Sequence, residues 1–162
     1  EHQAYRRALT RLGLQVVAHA GEEGPPAYIE SALDVLQVQR IDHGVRCLES
    51  PALVRRLAAS RMPLTVCPLS NVKLCVFPDM ASHNLPALLD AGLCAMVNSD
   101  DPAYFGGYLN DNFKAVFEAL PQLGEREAYT LLRNGFEASF ATPEAKAGWI
   151  AQLDLAFQRA QA

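Results

Sequence analysis

Short apolar runs alternate with amphipathic stretches along the chain, and this order predicts repeated strand–helix units. Four short segments are predicted as strands, at 14–18, 40–42, 64–67 and 93–97. Helices are predicted between and after them, at 28–38, 50–60, 85–91, 109–120, 125–140 and 143–161. The stretch 69–84 is expected to be irregular, and 98–102 is expected to form a loop.

The predicted strands lack a clean alternation of apolar and polar residues, so both faces of the sheet should be buried. That pattern is typical of a parallel sheet in an α/β domain. Ser50 before Pro51 is a favourable helix start, and so is Thr142 before Pro143. We interpret residues 1–162 as a single domain.

Composition and charge narrow the classes of function. The chain has 162 residues, of which 50% are hydrophobic and 20% charged, so it contains enough apolar material for a core. The net charge is −4 and there is no basic stripe, which favours a small-molecule ligand over a nucleic acid. No apolar run approaches the ~18 residues of a membrane span, and no signal peptide is evident. We therefore expect a cytoplasmic protein.

Four cysteines are present, and none of them belongs to a Cys-x-x-Cys pair. They are expected to be reduced, neutral thiols and neither disulfides nor a thiolate zinc site. The residues are Cys47, Cys67, Cys75 and Cys94.

Polar residues follow each predicted strand directly. Because parallel strands all open at their carboxyl ends on one face, these residues should converge there. Taken singly, each histidine could be structural and each aspartate a helix cap or turn residue. Together, histidine and aspartate are a suitable donor set for zinc. The four segments are 19–22, 42–44, 67–71 and 98–102.

Other residues and motifs carry less weight. His2 and His83 are expected to be surface or capping residues, and Cys67 and Cys75 are assigned no role. Ser70 and Asn71 either position a loop over a ligand or form a plain turn. The sequence lacks the Gly-x-Ser-x-Gly elbow, the phosphate-binding glycine loops and the cytidine-deaminase zinc signature.

Three motifs, in this order and spacing, resemble the adenosine/adenine deaminase family of zinc aminohydrolases. Two further segments are more similar to the adenine deaminase branch, at 67–74 and 101–105. The resemblance implies the C-terminal half of a (β/α)8 TIM barrel, with four parallel strands and extra C-terminal helices. The three motifs are His19-Ala20-Gly21-Glu22, Asp42-His43-Gly44 and Ser99-Asp100-Asp101-Pro102.

The resemblance also implies a role for each site residue. His19 and Asp100 would be zinc ligands, and Glu22 would donate a proton to N1 of the purine. His43 would orient the zinc-bound water and help to deprotonate it. Asp101 would hydrogen-bond N7 of the purine.

The chemistry of hydrolytic deamination suits these residue types. Zinc lowers the pKa of bound water from ~15.7 to about 7, which makes hydroxide available at neutral pH. Both N1 and N7 of adenine are acceptors, and an ionised carboxylate cannot donate a hydrogen bond. We therefore expect at least one of Glu22 and Asp101 to be protonated in the substrate complex.

One departure from the family pattern concerns the metal. The family takes two more zinc ligands from a His-x-His on the first barrel strand, and this sequence contains no His-x-His. Two ligands are fewer than the three of a typical catalytic zinc site. The chain also begins at Glu1, inside the helix-like stretch 1–12, so we expect it to lack an N-terminal half. Made alone, it should be poorly stable or associated, and its oligomeric state is left open.

The resemblance implies zinc-dependent conversion of adenine to hypoxanthine and ammonia, as part of purine salvage. Adenosine is the alternative substrate, because a ribose pocket would draw on residues outside this chain. A catalytically silent half-barrel is a second alternative. A metal-dependent hydrolase with a different amidohydrolase substrate is a third.

Overall fold

A computed structural model describes residues 2–161, apart from the side chains of residues 2, 3 and 5. Strands and helices alternate along most of the chain, as the hydrophobic pattern predicts. In chain order the elements are α1 His2–Arg11, β1 Val17–Ala20, α2 Pro26–Ser31, β2 Arg40–His43, α3 Pro51–Ser60, β3 Pro63–Val66, α4 Pro68–Lys73, α5 Leu85–Asp90, β4 Cys94–Val97, α6 Pro102–Phe105, α7 Leu109–Ala119, α8 Glu125–Ala138 and α9 Pro143–Ala160.

The described strands form one parallel sheet of four, in the order β1-β2-β3-β4. The register pairs Val17 with Arg40, Ile41 with Leu64 and Leu64 with Ala95. Each neighbour in the sheet is also the next strand in sequence, and helical segments make the crossovers. This arrangement confirms the predicted α/β half-barrel with its additional C-terminal helices.

The hydrophobic core lies between the sheet and the helices that cover it. Every residue of β4 is buried, since β4 is packed against α5, α7 and α8. Leu64 and Val66 of β3 are fully buried as well. The helices that pack against the sheet therefore hold the carboxyl ends of its strands in fixed positions.

The first strand differs from its prediction. It runs from Val17 to Ala20, whereas residues 14–18 were expected, and the side chains of Leu14 and Val17 are 53% and 37% exposed. Within residues 2–161, β1 pairs with β2 alone, so one edge of it carries no backbone partner. The expectation of two buried faces is correct for β4, which α5, α7 and α8 cover, and wrong for β1, in which Val17 and His19 are exposed.

Several local elements were also missed. The stretch 69–84, expected to be irregular, contains most of α4 and a 3-10 turn at Met80–Ser82, and α6 begins within the predicted loop 98–102. The predicted helix 28–38 is instead α2 followed by a π-helical turn, Ala32–Leu36.

The predicted helix starts at Ser50 and Thr142 are confirmed. Their hydroxyl oxygens accept backbone hydrogen bonds from Leu53 and Ala145, respectively. Among the described residues, no helix has the length and apolar character needed to cross a membrane.

Candidate active site at the carboxyl ends of the strands

Side chains from the ends of all four strands meet around one cavity of about 380 Å³. The sequence predicted this convergence, and the structure brings His19, His43 and Asp100 together here. Glu22 does not line this cavity; it contacts His43 and faces an adjacent cavity beside Glu23 and Arg46. The lining residues are His19, Asp42, His43, Thr65, Cys67, Asn98, Ser99, Asp100 and Leu109.

The backbone is strained at two of these residues. His43 and Asp100 have φ values of 67° and 57°, in the left-handed region that non-glycine residues seldom occupy. Such a conformation costs on the order of 1–3 kcal/mol and persists only where the surrounding structure enforces it. His43 is the last residue of β2 and Asp100 lies three residues beyond the end of β4, and the side chains of both line the same cavity.

His43 lies at the centre of the site and is 1% exposed. Its Nδ1 is 3.2 Å from Glu22 Oε1, and its Nε2 is 3.9 Å from Asp100 Oδ2. Burial lowers the pKa of His43, and the neighbouring His19 lowers it further. Burial also raises the pKa of Glu22, whereas the hydrogen bond from Asn71 opposes that shift. The site therefore favours a neutral imidazole beside a carboxyl group that takes up a proton more readily than usual.

His19 is held from one side of its ring. Its Nδ1 is 3.3 Å from Asp42 Oδ2, while its side chain is 72% exposed. Asp42 in turn accepts a hydrogen bond of 2.7 Å from the Thr65 hydroxyl and lies 3.6 Å from Arg40 Nε. A carboxylate on one imidazole nitrogen orients the other nitrogen towards a ligand. Asp42 and Thr65, to which sequence reasoning assigned no role, thus leave Nε2 of His19 available.

Asp100 is fixed through both of its carboxylate oxygens. Oδ2 accepts a hydrogen bond of 2.6 Å from the buried Ser70 hydroxyl, and Oδ1 accepts one of 2.9 Å from the backbone N–H of Asp101. Ser70 lies on α4, so it belongs to a helix and to neither the loop nor the turn considered for it. Its buried hydroxyl contributes directly to the geometry of the site.

Asp101 occupies a different position from the other predicted site residues. Its Oδ1 caps α6 by accepting hydrogen bonds from the backbone N–H groups of Ala103 and Tyr104, at 3.0 and 3.2 Å. It is exposed and is not among the residues that line the cavity. Its predicted contact with N7 of a purine stays a prediction.

Cys67, to which the sequence assigned no role, lines the cavity. One ligand atom each from Cys67, His43 and Asp100 lie within 4.8 Å of one another, so these three residues form a possible metal-binding group. However, burial and the nearby Asp100 carboxylate raise the pKa of the Cys67 thiol to about 12. The thiol donates to the backbone oxygen of Thr65 at 3.5 Å, so the protonated form is already satisfied.

Asn71 and His83 are buried polar residues; Asn71 contacts Glu22 and His43, and His83 contacts Asn71. Asn71 lies on α4 and donates a hydrogen bond of 2.7 Å to Glu22 Oε1. His83 is not on the surface; its Nδ1 accepts the backbone N–H of Leu85, which makes it a capping residue of α5. Asn71 lies in the segment 67–74, which resembles the adenine deaminase branch, and that resemblance was the sequence signal that Asn71 belongs to the site. His2 lies in α1, and its side chain is outside the described part of the structure.

Comparisons with known proteins agree on one family. Residues 1–156 match the adenosine deaminase family. An adenine deaminase of Trichlorobacter lovleyi is 64% identical over 148 residues, which are 91% of this chain and 42% of the relative. An adenine deaminase of Paraburkholderia phytofirmans is 64% identical over 143 residues, 88% of this chain and 41% of the relative. The chain thus spans less than half the length of these curated relatives.

Solved structures lead to the same family. The crystal structure of an adenine deaminase from Arthrobacter aurescens superposes with a TM-score of 0.92 at 46% identity, over 99% of this chain and 48% of the other. An amidohydrolase from Burkholderia ambifaria with bound zinc gives a TM-score of 0.86 at 25% identity, over 97% and 44% of the two chains. The family match extends over almost all of the sequence, and the four-stranded fold agrees with it. This chain therefore belongs to the adenosine deaminase family.

Proposed function

We propose that this chain is the part of an adenine deaminase that supplies its proton-transfer residues. In this reaction water adds across the N1=C6 bond of adenine, with hydroxide bonding to C6 and a proton to N1, and loss of the amino group as ammonia then gives hypoxanthine. The contacts of His43 with both Glu22 and Asp100 support this proposal, since deamination needs a proton donor, a base and a metal ligand. The relatives named adenine deaminase, at 64% identity, favour adenine over adenosine as the substrate.

The donor types of His19 and Asp100 suit a zinc ion. The free Nε2 of His19 and the carboxylate of Asp100 are both usual zinc ligands, and each is held by a hydrogen-bond partner behind it. Zinc bound there would supply hydroxide at neutral pH. Cys67 is the weaker candidate because its thiol favours the protonated form. Since His19 and Asp100 are only two ligands, we infer that the remaining ligands come from residues beyond this chain.

The side chains of this chain divide the proton transfers between them. His43 is buried and its pKa is lowered, so a neutral ring is available to accept the proton from the attacking water. The raised pKa of Glu22 suits a carboxyl group that gives a proton to N1 and makes C6 more electrophilic. Both groups are held near each other before substrate binds, which reduces the entropy cost of reaction. Asp101 is our candidate for the N7 contact, which requires that it be protonated or that the contact be indirect.

The edge of the sheet supports a requirement for further strands. Val17 is 37% exposed, and among the described residues β1 has a neighbour on one side only. Additional strands at this edge would cover it and complete a barrel. We place the reaction in purine salvage in the cytoplasm, a setting that the four free cysteines support.

The test uses the protein encoded by the complete open reading frame that contains this chain, hereafter the complete protein. Glu22→Gln should lower adenine turnover by about 10²–10⁴-fold, because it removes the proton donor and leaves the metal ligands in place. Glu23→Gln is the matched control, since Glu23 is the exposed neighbour that receives the same chemical change. Turnover is followed by the ultraviolet change from adenine to hypoxanthine, and zinc by elemental analysis.

The outcomes separate the proposal from its alternatives. Full activity of Glu22→Gln on adenine would refute the assigned role. Faster turnover of adenosine than of adenine by the parent protein would identify the nucleoside as substrate, and no zinc and no turnover would indicate a silent protein. Sequencing the gene upstream of Glu1 tests the metal assignment independently, since an in-frame strand ending in His-x-His would provide the other two ligands.

A further inference from the structure

The side chain of Asn71 is fully buried at a point where it contacts both proton-transfer residues. Its Nδ2 donates a hydrogen bond of 2.7 Å to Glu22 Oε1 and lies 3.4 Å from His43 Nδ1. On its other side, Oδ1 is 3.2 Å from Nε2 of His83. A buried amide can serve these neighbours only if it keeps one of its two possible orientations.

The backbone determines that orientation through His83. The N–H of Leu85 can only donate, and it lies 3.1 Å from His83 Nδ1, so Nδ1 must be an unprotonated acceptor. A neutral imidazole without a proton on Nδ1 carries it on Nε2. Nε2–H then donates to Asn71 Oδ1, which leaves the amide N–H groups pointing towards Glu22. The directions of the hydrogen bonds from His83 to Asn71 and from Asn71 to Glu22 therefore follow from one backbone N–H.

The surroundings of His83 keep its ring in this position. His83 is 3% exposed, and its ring lies against Phe77 with centroids 4.3 Å apart. Its own backbone N–H donates to the oxygen of Met80 at 3.1 Å. Burial lowers the pKa of His83 to about 4, so the ring is neutral at physiological pH. Neither a flip nor protonation of the ring is compatible with these contacts.

We propose that Asn71 and His83 are positioning residues that hold the Glu22 carboxyl group beside His43, through a hydrogen-bond chain that begins at the N–H of Leu85. The catalytic consequence rests on the proposed function. Without the donor on His83, the Asn71 amide is free to turn and present Oδ1 to Glu22. Two oxygen acceptors would then face each other, and the carboxyl group would move away from its place beside His43. A displacement of about 1 Å in a catalytic group can cost about 10²-fold in rate.

Replacements at position 83 distinguish positioning from packing. His83→Leu introduces an apolar side chain of similar bulk and removes both ring nitrogens. It should lower kcat by about 10- to 100-fold with little change in KM. His83→Gln retains an N–H donor that can reach Asn71 Oδ1, and it should restore most of the lost kcat. Asn84→Ala is the matched control, because Asn84 anchors the same segment through a 2.7 Å hydrogen bond to the oxygen of Val45 without touching Asn71.

A second readout needs no turnover. In the complete protein without substrate, ¹⁵N NMR of labelled histidines should give His83 as the neutral tautomer with its proton on Nε2 at pH 7. A proton on Nδ1, or a His83→Leu protein that is no slower than Asn84→Ala, would overturn the proposal. Loss of activity that His83→Gln does not restore would do the same. If the parent protein deaminates no purine, the proposed function fails, and the tautomer still decides whether the hydrogen-bond chain exists.

Discussion

Gly21 lies between His19 and Glu22, and replacing it with alanine should destabilise the protein through two separate effects. Its φ of +70° is a conformation that residues with a Cβ atom seldom adopt. A Cβ atom at this position would also overlap Cγ1 and Cδ1 of Ile29. Ile29 is fully buried, so moving its side chain aside would disturb the core packed around it.

The two effects can be given separate magnitudes. A left-handed conformation at a non-glycine residue costs about 1–2 kcal/mol. Forcing an additional methyl group into a packed core costs about 1–3 kcal/mol more. Gly92→Ala is the matched control, because Gly92 has a φ of +72° and no heavy atom within 4 Å of the position of a Cβ. Gly21→Ala should therefore lose about 1–3 kcal/mol of unfolding free energy beyond Gly92→Ala.

Equilibrium denaturation of the complete protein measures both losses. A double-mutant cycle with Ile29→Ala isolates the steric part, since shortening Ile29 removes the atoms that a Cβ at Gly21 would meet. The double variant should be more stable than the sum of the two single losses predicts. Equal losses for Gly21→Ala and Gly92→Ala, together with simple additivity in the cycle, would refute the reasoning.

Three further predictions concern the metal, the pH dependence and the thiols. Ser70→Ala should weaken zinc binding by about 10- to 100-fold in a chelator competition, because it removes the hydrogen bond that holds Asp100. An unchanged zinc affinity would contradict this. Urea titrations should show that the free energy of unfolding falls by about 3 kcal/mol between pH 6.5 and 4. The reason is that burial in the folded protein disfavours protonation of His83, whereas the unfolded chain is protonated freely. His83→Gln should show a smaller fall. Among the four thiols of this chain, Cys75 should react first with a thiol reagent at pH 8, because it is exposed and the other three are buried. Cys75→Ser should remove that fast phase. The buried thiols are those of Cys47, Cys67 and Cys94.

Much of the site could be predicted because its residues directly follow the strands. The segments predicted as strands are short, and parallel strands bring their carboxyl ends to one side. His19, His43 and Asp100 therefore had to converge once the runs were identified as strands. The helix starts at Ser50 and Thr142 were equally accessible, since a capping hydroxyl bonds to a backbone N–H three residues away.

The misplaced and missed elements have a common cause in tertiary contacts. Residues 14–16 are as apolar as the strand itself, and pairing with β2 decides that β1 starts at Val17. The helix α4 gave no clear periodic pattern because the side it turns inward carries Ser70 and Asn71. Those side chains are buried against Asp100 and Glu22, so polar residues occupy positions that an ordinary helix would fill with apolar ones.

The sequence alone determined which residues follow each strand, the type of chemistry they can perform and the family they resemble, because these depend on residue identity and local spacing. Only the tertiary structure decided the orientation of each side chain. His83 is twelve residues from Asn71 and forty from His43, yet packing against Phe77 and the N–H of Leu85 define its tautomer. Hydrogen-bond direction depends on the position of each donor and acceptor in space, and no spacing along the chain encodes it.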